Sequence, residues 1–244
     1  MIYTDIQFIF FFLIIIQTII GVGILVLGTP ILLLLNFNII ETISILLPLS
    51  ILTSFINLLY FKFKKKKLDL TINKQIKSFF FFICLPCILL GLIILKKFGD
   101  ILDFKTIVSI VLLFSIFLST KKEIFKNISN KGKKIILAII GVVHGLTNSG
   151  GSLLSLLLVS RNNKQNSRYN ITYFYFLLAF AQYLLFLVFF IDYFTFIFEK
   201  NFFLIFTASI ILGNFLARFI NEKLFKQFVN LICLFTCFVL LSVE

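Results

Sequence analysis

Between Ile135 and Val159 the chain is apolar at both ends and broken in the middle. Ile135 to Ile140 and Leu153 to Val159 flank a polar, glycine-rich stretch, Gly141-Val-Val-His144-Gly145-Leu-Thr147-Asn148-Ser149-Gly150-Gly151-Ser152. A bilayer core offers no water to an open backbone. Irregular chain at membrane depth is therefore tolerated only where protein buries it or where it lines a cavity. Broken helices at mid-membrane are also where secondary transporters hold their substrates. One segment thus constrains both the fold and the work done by it.

The rest of the sequence supplies the membrane setting. Of 244 residues, 60% are hydrophobic and 14% charged, whereas a soluble domain is about half apolar and a quarter charged. The surplus must face lipid. A spanning helix needs about 20 apolar residues, and the chain divides into eight such stretches: Ile6–Leu35, Thr42–Phe61, Ser78–Leu95, Ile101–Thr120, Ile135–Ser160, Tyr169–Ile191, Phe202–Ala217 and Leu224–Val243. The first and fifth are over-long and contain the glycines, which predicts a helix, a break and a second half-helix in each. Pro30, Pro48 and Pro86 fall inside the first three stretches and invite kinks. No cleavable signal peptide is expected, since Met1 to Gln7 lacks Lys and Arg and the apolar run after it is too long. The net charge of +13 sits between apolar runs, as in Lys62-Phe-Lys64-Lys65-Lys66-Lys67. Such charges set topology and meet anionic headgroups; no nucleic-acid partner is expected.

The expected architecture is an all-α polytopic membrane protein: about eight transmembrane helices in two pseudo-repeats of four, residues 1–122 and 123–244, within one membrane domain. A shift of 122 lays Gly23 on Gly145, Gly28 on Gly150 and Gly91 on Gly213. Four spans per half is an even number, which predicts parallel repeats. Lys and Arg number 0 after the first span and 7 after the second. By the positive-inside rule this predicts a multi-pass protein of the cell (inner or plasma) membrane with both termini cytoplasmic.

The two breaks together suggest an anion site. Half-helices at Ile31 to Leu35 and Leu153 to Ser160 would each present unpaired N–H groups and a partial positive charge. The candidate substrate-binding residues are Gly28, Thr29, His144, Asn148, Ser149, Gly150, Gly151 and Ser152. The competing reading is that these small residues only let helices pack closely. His144, the single histidine, either binds an anion or relays a proton, or else sits neutral against a carbonyl freed by the break. One histidine and few acids leave no catalytic set, no metal site and no cofactor, so the protein is not expected to be an enzyme. The rival readings are a membrane thiol-redox protein using Cys84 and Cys87 of a C-x-P-C, and a non-transporting membrane scaffold. A thiol buried in lipid is inert, and neither that pair nor Cys233 and Cys237 has a counterpart at the repeat shift. Glu41 and Arg218 are read as anchors at span boundaries.

The Gly28-Thr-Pro30 motif, the stretch from Gly141 to Leu154 and the Gly91/Gly213 pair, set in eight spans, resemble the sulfite exporter TauE/SafE family of membrane permeases. That resemblance implies a permease for a small anion, especially a sulfur-containing or organic one such as sulfite or a sulfonate. A proton or cation is the implied coupling partner. Fewer glycines at the first break, and Ser152 where the first half has Pro30, depart from the family pattern.

Overall fold

The computed structural model describes residues 2–68, 70–120, 128–159, 164–193 and 202–221, with single helical positions at Leu224, Gln227, Leu231, Leu234 and Phe238. Every regular element among them is helical. In order these are α1 (Ile2–Ile20), α2 (Ile24–Leu34), α3 (Ile39–Leu68), α4 (Lys74–Phe98), α5 (Phe104–Thr120), α6 (Asn130–Thr147), α7 (Gly150–Val159), α8 (Lys164–Phe189) and α9 (Phe202–Phe219). Four of them are long and apolar enough to cross a membrane: α3 within Ile39–Phe63, α4, α8 and α9. The expected all-α polytopic fold is borne out, including a break in the first and the fifth stretch. Of the last expected span only the five single positions are described; Cys233 and Cys237 lie outside the described residues.

Local chemistry explains the helix ends. Asn38 and Glu41 form a reciprocal capping box at the start of α3: Glu41 N–H donates to Asn38 Oδ1 (2.8 Å) and Asn38 N–H to Glu41 Oε2 (3.0 Å). Glu41 is thus the boundary residue the sequence suggests. Asn73 Oδ1 accepts from Ile76 N–H (3.0 Å) at the start of α4, and Ser129 Oγ from Gly132 N–H (3.1 Å) at the start of α6. Within α4 a π turn spans Phe80–Cys84. It lies just ahead of Pro86, whose ring would press on the carbonyl of Phe82 in an unbroken α-helix.

Both breaks are left-handed helix caps. Gly21 has φ 92° and its N–H donates to Gln17 O (2.7 Å); Asn148 has φ 61° and its N–H donates to His144 O (2.9 Å). The first break therefore falls at Gly21–Gly23. Gly28, Thr29 and Pro30, expected at the break, lie inside α2. Beyond each break the chain doubles back. Gly23 stands against Gln17 and Gly28 against Leu13, so α2 runs antiparallel to α1. Gly150 likewise stands against His144 and Ile140.

Polar contacts fix the direction of each hairpin. Thr71 N–H donates to Asn166 Oδ1 (3.0 Å) and Asn73 N–H to Asn170 Oδ1 (3.1 Å), joining the α3–α4 linker to the first turns of α8. Gln75 Nε2 donates to Asn130 Oδ1 (2.9 Å), which brings the start of α6 to the same face. Lys164 Nζ donates to Ala217 O (2.7 Å), which brings the end of α9 there too. At the opposite face Lys96, near the end of α4, lies 5.3 Å from the ring of Phe189 at the end of α8. α1 ends beside the first turns of α8, where Arg168 Nε donates to Thr18 O (2.9 Å). α6 ends far along α8, where Gln182 Nε2 donates to His144 O (3.0 Å). Gln182 is about 27 Å up α8 from Lys164. A linker of four residues (160–163) closes at most about 18 Å, so α7 must return toward the start of α8. The hairpins α1–α2 and α6–α7 thus enter from opposite faces, and α1 runs antiparallel to α6. The expectation of parallel halves is corrected here. It assumed that each broken stretch crosses the membrane; each folds back instead, which reverses the parity of everything after it.

Close backbone packing holds α4 to α6. A Cβ on Gly91 would run into Val142 O and Gly145 Cα, one on Gly145 into Ile88 O, and one on Gly141 into Cys84 O and Cys87 Cβ. These glycines serve helix contact. Gly213 of α9 meets Thr18 and Ile15 of α1 in the same manner. Gly145→Leu, which forces side chain into backbone, is expected to destabilise the protein by at least about 2 kcal/mol. Folded yield and thermal denaturation in detergent measure it; an unchanged midpoint contradicts this packing.

Candidate functional site

The two hairpin tips meet at Tyr175 of α8, which is fully buried. Its hydroxyl accepts from Leu25 N–H at the first turn of α2 (3.0 Å). Its ring edge lies against Gly151, so closely that a Cβ there would collide with Cε2, and against His144 with ring centroids 6.3 Å apart. Val22 of the first tip also touches the Cβ direction of Gly151 (2.8 Å). One aromatic side chain thus joins the start of α2 to the start of α7.

The first tip is satisfied by its own protein. Gln17 Oε1 accepts from Ile24 N–H (3.0 Å), while Gln17 Nε2 donates to Ser50 O (3.0 Å) and Ser54 Oγ (3.0 Å) of α3. With Tyr175 on Leu25, these contacts occupy N–H groups at the true start of α2; the half-helix start expected at Ile31 lies inside that helix. Thr18 O, freed at the end of α1, accepts from both Nε and a terminal nitrogen of Arg168. Arg168 donates further to Asn214 Oδ1 (2.8 Å), and its guanidinium lies 4.9 Å from the Phe61 ring centroid. Asn214 Nδ2 donates to Asn57 Oδ1 (3.2 Å), and Asn57 Nδ2 to Thr18 Oγ1 (3.2 Å). The described partners of this buried cation are all uncharged.

The second tip is different. Ser149 Oγ donates to Thr147 O (3.1 Å), Ser152 Oγ to Ser149 O (2.8 Å) and Ser155 Oγ to Ser152 O (2.7 Å). Ser115 Oγ of α5 lies 2.8 Å from Ser152 Oγ. This ladder settles the hydroxyls. Yet His144 Nδ1 and Nε2, Asn148 Nδ2 and Oδ1, and Gln182 Oε1 have no hydrogen-bond partner among the described residues, although all three side chains are 0% exposed. Buried polar atoms are nearly always partnered, which makes this cluster the candidate site.

Of the eight residues singled out from sequence, six lie at the second tip. His144 and Asn148 are there with free polar atoms. Ser149 and Ser152 are bonded within the ladder. Gly150 faces α6, where a Cβ would stand 2.5 Å from Ile140 O, and Gly151 faces Tyr175. Gly28 packs on Leu46 and Leu13; Thr29, with Oγ1 unpartnered, lies on α2, and no described hydrogen bond joins it to the second tip. Gln17, Arg168, Tyr175 and Gln182 were missed. Their signal was a polar side chain inside an apolar run, which is costly at membrane depth. Cys84 and Cys87, the basis of the thiol-redox reading, are free thiols at the α4–α6 contact, and nothing supports that reading.

Two opposed helical hairpins, buried tip to tip in an apolar bundle, define a polytopic membrane transport protein. The chain belongs to the sulfite exporter TauE/SafE family, whose model matches residues 6–240. The resemblance read from the glycine motifs is thereby confirmed, and with it a membrane permease family. No curated protein and no solved structure matches the chain.

Tyr175→Phe leaves Leu25 N–H unpaired in a fully buried place. It is expected to cost about 1–3 kcal/mol, seen as a lower midpoint in thermal denaturation. Tyr175→Phe with wild-type stability would show that the hydroxyl does not cap α2.

Proposed function

We propose that the protein is a permease for a small anion, a sulfur-containing or organic oxyanion such as sulfite or a sulfonate, and that it binds at the second hairpin tip. The observation that carries this reading is the cluster of unpartnered polar atoms on His144, Asn148 and Gln182, wholly buried beside the start of α7. A helix start favours negative charge, and α7 begins at Gly150 with His144 and Asn148 around it. Ser149 and Ser152 shape the second tip, Gly151 lets Tyr175 and Val22 of the first tip approach it, and Gly28 packs α2 on α1 and α3. His144 carries the proton if transport is proton-coupled. The scaffold alternative leaves those atoms without purpose.

We further infer that the halves are a duplication related by a two-fold axis in the membrane plane. Gly21 and Asn148 correspond as left-handed caps, α1 packs on α9 as α6 packs on α4, and the matched helices run in opposite directions. Inverted repeats of this kind support alternating access around a fixed site. The same geometry changes the reading of sidedness. With both hairpins folding back, 13 of the 16 Lys and Arg among the described residues fall at the face where α4, α6 and α8 begin. That face is cytoplasmic by the positive-inside rule, and the N-terminus lies on the other side, against the expectation from eight simple crossings.

Two experiments test these readings. Asn148→Ala removes a neutral donor, for about 1 kcal/mol or roughly fivefold in anion affinity, with folded yield unchanged; unaltered affinity removes Asn148 from the site. In a cysteine-free background, Thr4→Cys and Asp192→Cys should react with a membrane-impermeant maleimide added to intact cells. Labelling of both only after permeabilisation restores the eight-crossing topology.

A further inference from the structure

The orientation of one amide at the second tip says what the ligand must carry. His144 O accepts from Asn148 N–H (2.9 Å) and from Gln182 Nε2 (3.0 Å), so α6, the break and α8 converge on one carbonyl. A carbonyl only accepts. The atom of Gln182 facing it must therefore be the NH2, and this contact fixes the orientation of the amide. Gln182 Oε1 is then held on the other side of the amide, fully buried and without a partner. Asn148 adds a second unpartnered carbonyl oxygen together with its NH2, whichever way that amide is turned. The tip thus offers acceptors as well as donors.

A bare oxyanion meets only half of that inventory. Its oxygens accept from Asn148 Nδ2 and the imidazole, but they give Gln182 Oε1 no donor. A buried acceptor left unpaired costs more than a hydrogen bond gains, and sites built around such an atom reject ligands that cannot fill it. We infer that the ligand is a small oxyanion bearing a hydrogen-bond donor of its own (a hydroxyl, an ammonium or an acidic proton), and that Gln182 Oε1 accepts from it. Gln182 is the specificity-determining residue, and hydrogen sulfite fits where the sulfite dianion does not. This rests on the anion-site reading above.

Matched anions separate the two claims. The protein purified in detergent is titrated calorimetrically with acetate and glycolate, and with ethanesulfonate and 2-hydroxyethanesulfonate, each pair differing by one hydroxyl. The hydroxyl-bearing member should bind roughly ten- to a hundredfold more tightly in each pair. Gln182→Met, similar in size but without the acceptor, should bring the two members of a pair to near-equal affinity and leave the donor-free anion no weaker. Equal affinities within both pairs in the wild-type protein overturn the inference whatever the variant does, as would happen if a bound water satisfied Gln182 Oε1. A preference that survives Gln182→Met overturns it as well. Failure of all four anions to bind at millimolar concentration sinks the anion-site reading itself, and this inference with it.

Discussion

A helix that stops inside a membrane leaves its last carbonyls, and the first N–H groups of the helix after it, with no water to turn to. That constraint governs the centre of this protein twice over. α1 and α6 both stop among buried residues, and a large share of the polar side chains in the interior answers to one of those two ends. Left-handed caps at Gly21 and Asn148 close the last turns. Gln17 and Tyr175 take the first N–H groups of α2, Arg168 takes the carbonyl of Thr18, and the serines from Ser149 to Ser155 bond along the start of α7. Remove the need to satisfy these ends, and Gln17 in α1, Ser50 and Ser54 in α3 and Arg168 in α8 have no reason to be there.

The two ends are treated unequally, and the proposed anion site rests on that inequality. Three side chains fill the first tip, all from the protein itself. The second keeps an imidazole and two amides with free hydrogen-bonding atoms. Tyr175 links them, with its hydroxyl committed to the first tip and its ring laid on the second. A ligand at His144 and Asn148 is thereby one side chain away from the end of the opposite hairpin.

Much of this was legible in the sequence. The apolar stretches that the structure describes are helices, the two over-long ones break, and the polar run around Asn148 sits at a break. Glu41 caps a helix as an acid at a span start should. What could not be read was direction. Hydropathy measures how much oil a stretch contains, not whether the chain continues through a glycine or returns alongside itself; that depends on a single left-handed residue and on what packs against the returning arm. Gly28-Thr29-Pro30 looked like a break because glycine and proline punctuate local structure, yet Leu13 and Leu46 hold it in a helix. The site was half visible for a related reason. Glycines and the lone histidine draw the eye in an apolar sequence, whereas Gln17 and Gln182 are single letters whose meaning comes only from the backbone they face.

The opposed course of the hairpins also has an electrical consequence. Each helix carries a macrodipole along its axis. Here α1 points one way through the membrane and α6 the other, as do α3 and α8, and α4 and α9. Their contributions along the membrane normal cancel in pairs. A transmembrane voltage therefore finds little in the resting backbone to pull on, and it acts mainly on whatever net charge crosses between the tips.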